Sequence, residues 1–319
     1  MMSGRCSKSA LPPVTVIIAA RPGQSEVLAR EASRRLDYPA DLLEIIVARG
    51  AQPSVQRNAA LRSARGELVY FLDDDSIPRG DNLRRAVAHF ADAKVQMVGG
   101  PNLCPPAAPA LEQVFALTMG AALAFGPSRA RYTAVGSVRE TSEKELILCN
   151  LMARKQAVLD LGGFDEALYP NEENALMDGL LARGGKLLYD PEFHVHRRPR
   201  RTLASFAKML MTYGRGRAEQ FRLHPTFGSA MNFVPPLFCV YLLLLPWLPR
   251  GCAWPLAGYG LALVAQALAL RQGPGGLRTM PFIFMTHVLY GLGFWRGLFT
   301  RLGRAPGQPA VPVTLEKHV

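Results

Sequence analysis

The sequence has few charged residues and few cysteines for its length. Asp, Glu, Lys and Arg make up 19% of its 319 residues, whereas 49% are hydrophobic, a composition that excludes a disordered chain. The five cysteines lie far apart and form no C-x-x-C pair, which argues against a zinc ribbon or a thioredoxin-type redox site. Scattered cysteines in odd number favour reduced thiols and a cytosolic environment.

Acidic residues are nearly absent from the last third of the chain. Residues 231–319 contain a single acid, Glu316, among long apolar runs, although the whole chain has 25 acidic and 37 basic residues. Residues 1–13 lack the apolar core of a cleavable signal peptide. We therefore expect a cytoplasmic part of about 230 residues followed by a membrane part.

Three apolar stretches of the last third are each close to the ~20 residues that span a bilayer. They cover residues 233–249, 253–270 and 279–295. The alternative, three buried helices of a soluble domain, is disfavoured because almost no polar face remains. The arginines near their ends leave open whether the third stretch spans the membrane, re-enters it or lies at its surface.

A basic segment, residues 191–222, precedes the apolar stretches and has apolar residues at helical spacing on one side. This pattern predicts an amphipathic helix that lies on an anionic lipid surface. An ordinary solvated helix and a nucleic-acid-binding surface are the alternatives. The adjoining apolar stretches argue against nucleic acid.

The first hundred residues alternate short apolar strands with helical patterns. The predicted strands are residues 14–20, 44–47, 68–72 and 95–98, and the predicted helices are residues 25–36, 56–64 and 83–90. This alternation predicts a parallel α/β sheet. Ligands of such sheets bind at the carboxyl ends of the strands.

Three consecutive aspartates, Asp73, Asp74 and Asp75, follow the third predicted strand directly. Adjacent carboxylates repel one another unless a cation lies among them, and Mg²⁺ or Mn²⁺ prefers carboxylate and phosphate oxygens. In an extended segment Asp73 and Asp75 point the same way, so they can share one metal. The pattern predicts a metal-diphosphate site, with a surface turn as the alternative.

A second acidic cluster, Glu172 and Glu173, precedes a helix predicted at residues 175–182. Negative charge is stabilised near a helix N-terminus, so simple capping is one interpretation. The other is a general base that takes a proton from an attacking hydroxyl.

Taken together, these residues resemble an inverting family 2 glycosyltransferase of the GT-A fold with a C-terminal membrane part. The resemblance covers about residues 13–230 and rests on motifs in the family's order. These are the opening strand, Arg57-Asn58 leading into LVYFLDDD, Cys149-Asn150, the GGFDE of residues 162–166, Glu172-Glu173, and Gly184 with Lys186.

The resemblance implies an α/β fold and four segments. A Rossmann-like GT-A domain, of the nucleotide-diphospho-sugar transferase type, covers residues 13–200, and a basic amphipathic interfacial helix region covers residues 201–230. Two or three transmembrane helices occupy residues 231–300, and residues 301–319 form a tail.

The resemblance also implies a role for each site residue. Asp75 and Asp73 hold the Mg²⁺ or Mn²⁺, with Asp73 near the ribose, while Glu173 is the catalytic base and Glu172 a supporting carboxylate. The remaining candidates for binding the donor or the acceptor's diphosphate are Asp74, Arg21, Arg57, Asn150, Arg215 and Arg217. Lipid headgroup contact is the alternative for Arg215 and Arg217.

Two later segments, TLASFAKMLMTYGRGR and THVLYGLGFWRG, resemble the succinoglycan-type branch of the family. That branch implies sugar transfer from a nucleotide-diphosphate sugar to a polyprenyl-linked or polysaccharide acceptor. A UDP-sugar is the donor that the branch favours. The branch also implies a multi-pass protein of the inner (plasma) membrane whose catalytic domain is cytoplasmic. The implied partners are the sugar donor, the acceptor and membrane lipids, with no nucleic acid. The alternatives are a polyprenyl-phosphate glycosyl transferase and a non-catalytic membrane protein that binds sugar nucleotides.

The sequence departs from the family's pattern in three respects. Arg49 stands where the second strand usually ends in an acid that contacts the nucleotide base. Ala175 and Gly179 stand where relatives have an acid and an arginine, and the Q-x-x-R-W of processive synthases is absent. Arg49 bears on which nucleotide base the donor carries. The absence of Q-x-x-R-W disfavours a long-chain synthase.

Overall fold

The structure, a computed structural model, describes residues 11–166, 172–223, 225, 227–270, 273–300 and 312–318. The strands are β1 Val14–Ala20, β2 Leu43–Arg49, β3 Leu68–Asp73, β4 Ile77–Pro78, β5 Val95–Gly99, β6 Asn102–Leu103, β7 Arg139–Thr141, β8 Asn150–Arg154, β9 Lys186–Tyr189, β10 Val195–His196 and β11 Thr314–His318. The α-helices are α1 Leu28–Ser33, α2 Pro53–Ser63, α3 Asn82–His89, α4 Ala110–Met119, α5 Ala122–Phe125, α6 Lys155–Asp160, α7 Glu172–Ala182, α8 Leu203–Leu223, α9 Val234–Leu244, α10 Trp254–Ala269, α11 Pro274–Arg278 and α12 Met280–Phe299.

Eight of the described strands form one sheet in the order β11-β2-β1-β3-β8-β5-β9-β7. Strands β2, β1 and β3 are parallel, as the alternation predicts. Strand β8 runs antiparallel to both β3 and β5, so the sheet is mixed. The predicted parallel arrangement holds for β2, β1 and β3 and again for β5 with β9, but not at β8 or β11.

Apolar side chains fill both faces of the sheet. Ile18 and Tyr70 lie on the face that packs against α1 and α3, whereas Phe71 and Met177 lie in the core between the sheet and α2, α6 and α7. The central strands are buried on both faces, as expected where helices cover a sheet. This packing leaves the carboxyl ends of β1, β2 and β3 together at one edge.

The end of the chain joins the sheet. Strand β11 pairs antiparallel with β2, with Glu316 opposite Val47, and Leu315 packs against the core. The predicted tail therefore contains an edge strand in the part that the structure describes, and residues 301–311 lie outside that part. Strand pairing over such a sequence distance has no local signal.

Strands β4, β10 and β6 form a second, small sheet. His196 of β10 is paired antiparallel with Ile77 of β4. Because β4 begins two residues after Asp75, this pairing brings Arg197, the residue after β10, next to the aspartates.

Helix α8 packs along α12 through glycines. A Cβ added at Gly293 of α12 would lie 2.2 Å from the carbonyl oxygen of Met211, and one at Gly214 of α8 would lie 2.0 Å from that of Tyr290. Only glycine permits backbones this close. The glycines of the segments TLASFAKMLMTYGRGR and THVLYGLGFWRG therefore allow the backbones of α8 and α12 to pack in direct contact.

Two helical stretches, Ala230–Trp247 and Arg250–Ala269, are long and apolar enough to cross a membrane. The bent pair Ala110–Met119 and Ala122–Arg131 qualifies as a third if it counts as one span. Helix α12, the third predicted apolar stretch, is not among these candidates and is lined by α8 and α9. Large apolar side chains such as Trp247 and Trp254 are exposed on the candidate spans, as expected of a surface that faces lipid.

Candidate functional site

The three aspartates lie at the carboxyl end of β3. Strand β1 has β2 on one side and β3 on the other, so the order in which strands join the sheet reverses at β1, and the crevice outside the carboxyl ends lies at this reversal. Such a switch point is where α/β sheets bind ligands. Asp73 is in register with Ala19 of β1, which puts its carboxylate at this crevice.

Arg57, from α2, joins the two predicted acidic clusters. Its Nη2 donates to Asp73 Oδ1 at 2.9 Å, and its Nη1 donates to Glu172 Oε1 at 3.2 Å. The side chains of Arg57 and Glu172 are nearly buried, so the ion pairs are shielded from water. The structure thus brings together three of the residues that the sequence analysis singles out.

Arg197 is a site residue that the sequence analysis missed. It lies between two aspartates, with Nη1 at 3.1 Å from Asp73 Oδ2 and Nε at 2.5 Å from Asp75 Oδ1. Burial by itself raises the pKa of Asp73, but Arg197 and Arg57 outweigh it and lower that pKa. Burial raises the pKa of Asp75 despite Arg197. The basic run of residues 197–201 was a signal, but only the pairing of β10 brings Arg197 here.

The carboxylates of Asp73 and Asp75 fit a divalent cation. Both point at one positive group, the guanidinium of Arg197, and carboxylate oxygens are the ligands that Mg²⁺ and Mn²⁺ prefer. In the described parts of the chain, three or more metal-ligating side chains nowhere converge. A metal held here would therefore take its other ligands from water or phosphate oxygens.

Asp74 points away from this pair of carboxylates. Its Oδ2 accepts a hydrogen bond of 2.6 Å from Gln24 Nε2, and its carbonyl accepts one of 3.0 Å from the backbone N–H of Ala29. Asp74 thus ties the aspartates to the β1–α1 loop, residues 21–27. Arg21 is exposed on that same loop.

Glu172 and Glu173 form the first turn of α7. Burial is the main cause that raises the pKa of Glu172 to about 7; the nearby Glu173 adds to it and Arg57 opposes it. Glu173 is more exposed than Glu172. Within the described residues, which exclude 167–171, no hydrogen bond to the Glu173 carboxylate is found. The arrangement suits a supporting buried carboxyl beside a reactive one.

The GGFDE motif fixes the segment that leads to α7. Asn58 of α2 accepts from the backbone N–H of Phe164 and donates to its carbonyl, both at 2.8 Å. Gly163 has a φ of +86°, and a Cβ there would lie 2.4 Å from Asn58 Oδ1. Asn58 and Gly163 therefore fix the backbone at Phe164, eight residues before Glu172 in the sequence.

Asn150 lies behind the site. Its side chain is fully buried, accepts a hydrogen bond of 2.7 Å from the Tyr70 hydroxyl and donates one of 2.6 Å to the carbonyl of Phe193. These bonds brace β8 against β3 and the segment before β10. The side chain does not face the crevice.

Of the two predicted arginines of α8, Arg217 is the one whose charge is within range of Glu173. Burial is the main cause that lowers its pKa, Arg131 lowers it further, and Glu173 has the smallest effect. Its Nη1 donates to Gln220 Oε1 at 3.1 Å. Arg215 instead packs against α12 at Gly297 and forms an ion pair with Glu219 at 3.4 Å. Arg131, which the sequence analysis missed, donates to Asn174 Oδ1 at 2.9 Å.

Residues 5–211 of the chain match the family described as "Glycosyltransferase like family 2". The succinoglycan biosynthesis protein ExoA of Rhizobium meliloti is 27% identical over 310 residues, which cover 91% of this chain and 88% of that protein. The pre-mycofactocin glycosyltransferase of Mycobacterium tuberculosis is 27% identical over 184 residues. This match covers 54% of this chain and 36% of that protein's length.

Among solved structures, the mannosyltransferase PcManGT from Pyrobaculum calidifontis, in complex with GDP-Man and Mn²⁺, has the same fold. Its TM-score is 0.57 at 16% sequence identity, and the match covers 91% of this chain and 88% of that one. The likeness confirms the predicted GT-A type of α/β domain.

Proposed function

Because the chain belongs to glycosyltransferase family 2, we propose that it transfers a sugar from a nucleotide-diphosphate sugar to a lipid-linked or polysaccharide acceptor, with inversion. The observation that carries this proposal is the chain of contacts from Asp75 through Arg197, Asp73 and Arg57 to Glu172. These contacts join the proposed diphosphate site at the aspartates to the proposed general base in the first turn of α7.

Glu173 is the general base of the proposed reaction. Its carboxylate takes the proton of an acceptor hydroxyl while that oxygen attacks the anomeric carbon, and the bond from this carbon to the diphosphate breaks from the opposite side. Glu172 and Arg57 position the first turn of α7 for this step.

Asp73 and Asp75 bind the divalent cation, Mg²⁺ or Mn²⁺, in this proposal. Such a cation stabilises the negative charge of the departing nucleotide diphosphate. The Mn²⁺ in the GDP-Man complex of the mannosyltransferase supports a divalent metal. Arg197 adds a second positive group at the same place, and its side chain is long enough to turn toward a bound phosphate.

The acceptor reaches Glu173 from the membrane side. Helix α8 carries Arg217, whose charge is within range of Glu173, and α8 packs on α12 beside the candidate spans. A diphosphate-linked acceptor suits Arg217, because a guanidinium binds phosphate oxygens in a bidentate manner. The match to the succinoglycan biosynthesis protein along 91% of the chain supports an exopolysaccharide acceptor. With the two candidate spans, we propose that the reaction takes place at the cytoplasmic face of the inner membrane.

Turnover by the purified full-length protein in detergent tests the proposal. UDP- and GDP-sugars are offered with Mg²⁺ or Mn²⁺, a membrane lipid extract is the acceptor source, and released nucleotide is measured. We expect metal-dependent release that Glu173→Gln abolishes and that Glu67→Gln, an exposed carboxylate near the amino end of β3, leaves unchanged.

The lipid product separates the acceptor classes. Transfer to polyprenyl phosphate instead of polyprenyl-diphosphate-linked sugar would make the protein a polyprenyl-phosphate glycosyl transferase. Binding of a sugar nucleotide with no release under any acceptor would contradict catalysis and favour a non-catalytic binding protein.

A further inference from the structure

Arg49 ends β2 where family members usually have an acid, and the structure brings an acid to it from the end of the chain. Arg49 Nε lies 2.5 Å from Glu316 Oε1, and Nη2 donates to Glu316 Oε2 at 3.4 Å. Glu316 is the only acid after residue 230. The Arg49 hydrogen bond is the main cause that lowers the pKa of Glu316, so the pair is charged on both sides.

The same arginine holds the β1–α1 loop. Arg49 Nη1 donates to the carbonyl of Gln24 at 2.6 Å and to that of Arg21 at 3.4 Å. Gln24 in turn donates to Asp74 at 2.6 Å. A continuous set of polar contacts therefore runs from β11 through Arg49 and the loop to the aspartates.

The place of this pair in the sheet relates it to the donor. A nucleotide-diphosphate sugar has its sugar at one end, its base at the other and its diphosphate between. Helix α7, which carries Glu173, packs on β9, on the β8 side of β3, whereas β1, β2 and β11 lie on the other side. With the diphosphate at the aspartates and the sugar toward Glu173, the base extends over the ends of β1 and β2, toward Arg49.

We propose that Glu316 is a positioning residue of the donor site: β11 brings it to Arg49, and the pair holds the β1–α1 loop in the conformation that receives the nucleotide base. This inference rests on the proposed nucleotide-sugar donor. It gives the C-terminal strand a role in binding the donor besides covering the edge of β2.

Binding of UDP and of GDP to the full-length protein, each with Mn²⁺, tests the inference by titration calorimetry. Glu316→Ala should weaken the preferred nucleotide by about tenfold, as the loss of one charge-assisted hydrogen bond does, and should change the ratio of the UDP and GDP affinities. The double variant Arg49→Ala with Glu316→Ala should bind no more weakly than Arg49→Ala alone, because Glu316 acts through Arg49.

Lys317→Ala is the matched control. Lys317 lies on the same strand and donates to the carbonyl of Ser63 at 2.8 Å, away from the loop, so its loss should leave both affinities unchanged. Equal affinities in wild type and Glu316→Ala would overturn the inference. Equal losses in Glu316→Ala and Lys317→Ala would also overturn it, since β11 would then act only as an edge strand.

Two further outcomes have a fixed meaning. If Glu316→Ala does not fold, Glu316→Gln decides: weaker nucleotide binding by the folded variant supports the inference, and wild-type affinities for both nucleotides overturn it. If the wild-type protein itself binds neither UDP nor GDP, the donor proposal fails and this inference fails with it.

Discussion

Arg197→Ala should destabilise the protein in the absence of metal, and Mn²⁺ should restore most of the loss. Arg197 lies between Asp73 and Asp75, at 3.1 and 2.5 Å, so its removal leaves two carboxylates facing each other without a cation. Removing one partner of a buried ion pair costs about 3–5 kcal/mol. Because the Asp75 side chain is 43% exposed, water screens part of this cost and we expect about 2–3 kcal/mol.

The measurement is thermal unfolding of the purified protein with a chelator and with added Mn²⁺. A loss of this size lowers the Tm of a domain of roughly 150–250 residues by about 5–10 °C. A cation at a hundred times its Kd stabilises the folded state by about 2.7 kcal/mol. The wild-type protein should respond less than the variant, because its Arg197 already occupies the place between the carboxylates.

Arg198→Ala is the control for this experiment. Arg198 is the next residue but pairs with Glu112, through Nε to Oε2 at 2.8 Å, so its loss also leaves a carboxylate unpaired. Its removal should lower the Tm without increasing the response to Mn²⁺. An equal response to Mn²⁺ in all three proteins would refute the idea that Arg197 and the metal share one site.

Three further changes have expected outcomes. The pKa of Glu172 is raised to about 7 from 4.5, so its contribution to stability is full below pH 4.5 and is lost as the pH rises to about 7. Glu172→Gln should remove this part of the pH dependence in urea unfolding between pH 5 and pH 7.5. Gly163→Ala should lower both stability and kcat by displacing Asn58, seen as a lower Tm and slower nucleotide release, whereas Gly162→Ala, whose Cβ would meet nothing within 4 Å, should cost less. Gly293→Leu should cost roughly 1–3 kcal/mol or more through overpacking against Met211, and a Tm equal to that of wild type would contradict the close contact of α8 and α12.

The fold of the first hundred residues was predictable because its signals are local. Alternating apolar runs and helical patterns fix β1, β2 and β3 as parallel strands, and Asp73 follows the last of these directly. The placement of Asp73 and Asp75 at a carboxyl edge needs only this local pattern and the general rule for such sheets. Both therefore follow from the sequence.

Two long-range ion pairs around the site were not predictable in the same way. Arg197 reaches Asp75 only because β10 pairs with β4, and Glu316 reaches Arg49 only because β11 pairs with β2. Each contact joins segments more than a hundred residues apart in sequence, and no local pattern specifies a strand of two residues such as β10. The antiparallel direction of β8 escaped prediction for the same reason.

Helix α12 illustrates a different limit. Its apolar composition predicts a membrane stretch, but composition does not distinguish contact with lipid from contact with another helix. The glycines decide here, because the backbone of Gly293 touches α8 and Phe294 is fully buried. The spacing of the glycines in α12 indicates a close helix contact from the sequence alone. That α8 is the partner helix could not be predicted from this spacing.

Helix α8 is the element that both parts of the protein share. Phe206 stacks on Phe115 of α4 at 4.2 Å, and the charge of Arg217 is within range of Glu173. Toward the membrane part, Gly214 lies against the backbone of α12. A movement of α12 must therefore displace α8. If Glu173 is the base of the proposed reaction, we expect the glycine contacts that fix α8 to affect how an acceptor from the bilayer reaches it.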